Sequence, residues 1–143
     1  MDTSDSIYIT IFAKKVNVML DKRIVIELIK CIEKIQFTEQ IEGDAVIGYI
    51  NDHGRVIQVS FLADNLGQYL QLSYPIKSNK ENINKSVPYL SRWFINGRHK
   101  IEGDTIVVYS VLPLIDEAFI SKQITHALSE IWDMNTVVNS TCK

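Results

Sequence analysis

Residues 41–74 read IEGDAVIGYINDHGRVIQVSFLADNLGQYLQLSY, and the fold turns on this stretch. It divides into three strand-like runs: Ile41–Ile50, Arg55–Leu62 and Gln68–Tyr74. In the middle run Ile57, Val59 and Phe61 alternate with Gln58 and Ser60. A period of two marks a strand with one face on a core. Asn51-Asp52-His53-Gly54 joins the first two runs, and Asp64, Asn65 and Gly67 lie between the second and third. These are turn-forming residues, so the stretch reads as an antiparallel meander with short connections.

Working outward on the N-terminal side, Ile24–Ile35 has helical spacing. Asp21 is placed to cap it. Ile24, Leu28, Cys31, Ile32 and Ile35 share one face, widened by Val25 and Ile29; Glu27, Lys30 and Lys34 form the wet stripe. Further upstream, Ile7, Ile9 and Ile11 alternate like a strand up to Phe12. The remainder to Leu20 fits either a returning strand or an irregular helix.

Beyond the meander, Pro75 ends the third strand and Lys77–Lys85 reads as a polar loop. A short helix starts at Ser86 or Val87, with Pro88 in its first turn and Gly97 as terminator. The tetrapeptide Ile41-Glu42-Gly43-Asp44 recurs as Ile101-Glu102-Gly103-Asp104, each copy before a β-rich run. In the second copy Arg98–Ile101 pairs with Thr105–Val111 across Glu102-Gly103-Asp104 as a hairpin, within the strand Thr105–Leu112. That strand is apolar on both faces: Ile106, Val108 and Leu112 on one, Val107, Tyr109 and Val111 on the other. Asp116 opens a last helix to about Met134, with Ile120, Ile124, Ala127, Leu128 and Ile131 as its core stripe. The expected architecture is a single α+β domain over residues 1–143, in the order α-β-β-β-α-β-β-α, with an antiparallel sheet and helices packed on it. Residues 1–20 form an N-terminal segment of open structure, and residues 135–143 a flexible tail.

Composition narrows the function classes. The chain has 143 residues, 46% of them hydrophobic, and a net charge of −2. That length and apolar content support one real core. The lysines and arginines are scattered, without the basic stripe of a nucleic-acid binder. No apolar run reaches membrane-spanning length, and the start carries Asp2 and Asp5 rather than a basic leader. Two cysteines, Cys31 inside a helix and Cys142 near the end, read as reduced thiols, the first buried; the expected compartment is the cytoplasm.

No constellation carries catalytic chemistry. His53, His99 and His126 lack metal-like local spacing to one another or to Cys or acidic residues. No nucleophile elbow, phosphate loop or dinucleotide fingerprint occurs. The expectation is no catalytic residue, no cofactor and no metal. The alternative is a small enzyme or ligand-binding protein with a site assembled around His99 and Asp104. Tyr89, Trp93 and Phe94 cluster on the short helix. Core packing is the commoner role for such residues, and an interface anchor is the functional one. With Val107, Tyr109 and Val111 they form the expected partner or dimer interface.

The run Trp93-Phe94-Ile95-Asn96 through Ile101, the strand Thr105–Leu112 and Ile115–Ile131 resemble the YbjN-type bacterial domain family. The element order resembles the type III secretion chaperone fold. The resemblance covers roughly residues 22–134 and is carried mostly by hydrophobic spacing. Two residues separate Trp93 from Asn96, which departs from the family's closer Trp-Asn pair. It implies a non-enzymatic, cytoplasmic homodimer, chaperone-like or regulatory, that binds a partner or client polypeptide.

Overall fold

The computed structural model describes residues 20–41, 45–94 and 97–140, with the backbone alone of Trp93. The alternatives for Ile7–Phe12, the first Glu42-Gly43-Asp44 copy, Ile95-Asn96 and Cys142 lie outside the described residues. The elements are α1 (Lys22–Lys30), β1 (Gln36–Glu39), β2 (Val46–Asp52), β3 (Arg55–Asp64), β4 (Gly67–Lys77), α2 (Lys80–Trp93), β5 (Gly97–Glu102), β6 (Thr105–Pro113), a 3-10 turn (Glu117–Phe119) and α3 (Ile120–Ser140). The strands form one antiparallel six-stranded sheet in the order β1-β2-β3-β4-β6-β5. The fold is α+β, as the sequence reads.

Tight turns fix the register. Asp52 pairs with Arg55, so the β2–β3 turn is His53-Gly54, with φ of 55° and 85°. Two successive left-handed residues suit the twist of a two-residue hairpin. Asp64 closes the β3–β4 turn by accepting from the backbone N–H of Leu66 and Gly67. Glu102 pairs with Thr105 across Gly103-Asp104.

The core lies on one face of the sheet. Ile57, Val59, Leu70, Leu72, Ile106 and Val108 are fully buried there. Val25, Ile26 and Ile29 of α1, Ile83 and Leu90 of α2, and the stripe from Ile120 to Ile131 on α3 complete the same cluster. Caps hold the helices as short side chains allow: Asp21 accepts from Arg23 N–H, Asn79 from Asn82 N–H and Asp116 from Ala118 N–H.

Several boundaries differ from the sequence reading. The first helix stops at Lys30, where the Cys31 N–H is shared between the Glu27 and Leu28 carbonyls. Its core face is therefore Val25, Ile26 and Ile29; Ile24 is 45% exposed and the Cys31 thiol is exposed, not buried. Residues 36–39 form the extra strand β1, whose Phe37 ring lies over Gly48: a Cβ at Gly48 would sit 2.3 Å from it. β2 starts at Val46 rather than Ile41 and carries a bulge between Val46 and Gly48. Pro75 does not end β4. Pairing with β3 stops at Ser73, so Pro75 sits where β4 has only β6 beside it and its missing N–H breaks nothing there.

Residues 80–85 are helical, not loop, and Pro88 is inside α2 rather than in its first turn. Gly97 opens β5 instead of ending a helix; a Cβ there would lie 2.6 Å from Glu130 Oε1 and 2.7 Å from Met134 Sδ of α3. The last helix continues through Asn135 to Ser140 with Val138 buried, where a flexible tail was expected.

Candidate interaction surface

The three helices share one side. α3 lies against β4, β5 and β6, and α2 against α3 and β5. Trp132 of α3 meets Tyr74 of β4 edge-on at 5.0 Å between ring centroids, and Arg55 stacks 3.6 Å over the indole. The Trp132 indole N–H donates to Asp52 Oδ2 at 2.5 Å, and His53 Nδ1 lies 2.6 Å from Asp52 Oδ1. Burial alone would raise the Asp52 carboxyl. The hydrogen bonds from His53 and Trp132, with the charges of His53 and Arg55, outweigh it and hold the carboxyl below its ordinary value. This cluster pins the β2–β3 hairpin to the last helix. On the other flank Glu39 of β1 accepts from Arg23 and from Lys30 of α1. The bond to Lys30 is the main cause that lowers the Glu39 pKa, and the same bond raises that of Lys30.

The opposite face has no layer on it among the described residues. Thr38, Tyr49, Gln58, Ser73, Tyr109 and Arg98 are successive cross-strand partners, so they form one row across all six strands. Ser60, Gln71 and Val111 form the next row on one side, and Pro75 and Val107 pair on the other. From β1 to β6 the middle of this face carries no charged side chain among the described residues. Its charges lie on the rim: Arg98, Lys100 and Glu102 on β5, Asp64 and Lys77 at strand ends. Ser60 and Ser73 on this face are nearly buried. Charge-poor centres bearing tyrosines, with polar rims, are the composition of protein interfaces.

The five expected interface residues whose side chains are described do not form one patch. Val107, Tyr109 and Val111 are half-buried on the uncovered face. Tyr89, 45% exposed, is on α2, on the helix-bearing side. Phe94 packs against the core, and the Trp93 side chain lies outside the described residues. α2 folds onto that side because Ile83 and Leu90 are buried there. The sequence reading took Gln58 and Ser60 as the wet side of β3 and passed over Tyr49 and Ser73, which lie beside Gln58 on the same face.

His99 and Asp104 are not brought together. His99 is half-buried opposite Val108, three ladder pairs before the turn that holds Asp104. His53 is exposed in its turn and His126 is exposed on α3, so the histidines sit on three separate elements. Among the described residues no group of three His, Cys, Asp or Glu side chains is placed to hold a metal ion. No described helix is long and apolar enough to cross a membrane. A shallow groove of about 590 Å³ adjoins the uncovered face at the end of β6, with Ile115 and Phe119 on its wall. No family model matches the chain, and no curated protein or solved structure is significantly similar to it.

Proposed function

We propose that the protein is a non-enzymatic interaction module, chaperone-like or regulatory, that holds a partner polypeptide against the uncovered face of its sheet and works as a homodimer. The observation that carries this reading is the one-sided packing among the described residues: three helices on one face, and an opposite face with a charge-free, tyrosine-bearing centre and no described layer on it. Six strands at about 4.8 Å spacing and roughly 30 Å of strand length give a face near the 800 Å² that one partner of a standard interface buries. The backbone in the middle of this face is paired strand to strand, so recognition there falls to the side chains of Tyr49, Val107, Tyr109 and Val111. The resemblance to secretion chaperones and YbjN-type domains agrees with a client-binding role in the cytoplasm.

The test uses a permanently unfolded polypeptide, reduced and carboxymethylated lactalbumin, as the probe. Binding is followed by fluorescence anisotropy for the unmutated protein and for Tyr109→Asp. The reading expects micromolar binding that Tyr109→Asp weakens at least tenfold, with the circular dichroism spectrum unchanged, because the substitution charges a half-exposed position outside the core. Equal binding by both proteins, or none by the unmutated one, would count against it.

A further inference from the structure

We infer that β5 is a self-complementary edge, and that a second copy of this chain pairs with it antiparallel about Ile101. This rests on the homodimer in the functional reading and gives it a surface and a register. Among the described residues β5 ends the sheet, with β6 as its one neighbour in the sheet order. Arg98, Lys100, Ile101 and Glu102 are all exposed, Ile101 to 48%. An open edge of this kind is a template for another strand, and charged side chains on it select which strand.

The register follows from parity and charge. Across a two-fold axis normal to the sheet, residues that face each other must lie on the same side of it, so the two residue numbers add to an even sum. A sum of 198 sets Arg98 against Lys100 of the second copy twice, which is repulsive. A sum of 200 sets Arg98 against Glu102 twice but puts Lys100 against itself on the axis. A sum of 202 sets Lys100 against Glu102 twice, with Arg98 directed towards Asp104, and Ile101 against Ile101 on the axis. Only this register pairs opposite charges throughout.

It also suits the backbone. In a two-residue hairpin the pair flanking the turn, here Glu102 and Thr105, is hydrogen-bonded, so alternate residues point their N–H and C=O outward. Ile101 is one of these, and two copies of it exchange both bonds. The lone apolar side chain that the edge exposes is thereby covered, on the side where α2 lies against β5 and shows Tyr89. The product is a continuous sheet of twice the width. All helices are on one side, and the two uncovered faces join into one platform.

Sedimentation equilibrium on four proteins tests the register. Lys100→Glu and Glu102→Lys each turn two attractive pairs into two repulsive ones. Each should weaken dimerisation roughly five- to thirtyfold, the size of two exposed pairs lost. The double variant carrying both substitutions restores the unmutated affinity. An equimolar mixture of the two single variants forms a heterodimer tighter than either homodimer, because every facing pair is again Glu with Lys. Four proteins of equal affinity, or single variants that neither the double variant nor the mixture rescues, overturn the proposal. Binding of the unfolded probe through Tyr109 stands or falls separately. A monomeric unmutated protein that still binds the probe removes the edge pairing and keeps the interaction face.

Discussion

Val59 and Gln58 are neighbours in β3 with opposite fates. Val59 is fully buried against the helices, and Gln58 sits half-exposed in the middle of the uncovered row. Val59→Asp puts an unpaired charge into the core and should cost on the order of 3–5 kcal/mol, while Gln58→Asp should cost under about 1 kcal/mol. Urea denaturation ranks the two, and a reversed order would mean that β3 is turned by one residue. Asp52 gives a pH signature. Its folded carboxyl lies below the ordinary value, so its stabilising contribution is present above the unfolded pKa, about 3.9, and is lost as pH falls through the lower folded value. Asp52→Asn removes the charge that Trp132, His53 and Arg55 share. The variant should be less stable than the unmutated protein at pH 6, and the gap between them should narrow towards pH 3. A gap that holds constant in urea midpoints at the two pH values would place the contribution of Asp52 elsewhere than in its charge.

Among the elements, α2 is built against its own propensity. Asn82, Asn84 and Pro88 are all poor helix formers, and Ser86 Oγ bonds back to the Asn82 carbonyl. What holds the helix is burial of Ile83 and Leu90. Pro88→Ala restores a backbone N–H and relieves the ring's clash with the preceding turn, so it should stabilise the protein by about 1–2 kcal/mol, seen as a higher urea midpoint. A lower midpoint would show that the surroundings of α2 require the proline.

The same element shows what the sequence discloses and what it hides. The meander, the β5–β6 hairpin and the stripe of α3 are legible because alternation and helical spacing coincide with burial. The first half of α2 is hidden because its asparagines and lysines read as loop, although Ile83, Val87 and Leu90 recur at helical spacing. β1 is hidden because four residues are too short for a period to show. The core face of α1 is misplaced because the helix stops at Lys30, after which Cys31 and Ile35 no longer follow its spacing. For the site, the apolar second face of β6 is legible, but the sequence does not say that α2 folds to the opposite side of the sheet and separates Tyr89 from Tyr109.

At the scale of the whole molecule, among the described residues, one layer of helices serves one face of a six-stranded sheet. An antiparallel sheet tolerates a wet face, and most such faces carry charges. Here the charges stop at the rim and tyrosine, valine, glutamine and serine fill the centre. A face of that composition and size is suited to a polypeptide laid across it, and pairing through β5 would double it without covering it. The most direct measurement puts a photo-cross-linking phenylalanine derivative at Tyr109, or separately at Ser129 on the exposed side of α3, in cells of the native host. The account predicts a discrete cross-linked partner from position 109 and none from position 129. Equal cross-linking from both positions, or a partner captured from position 129 alone, would contradict it.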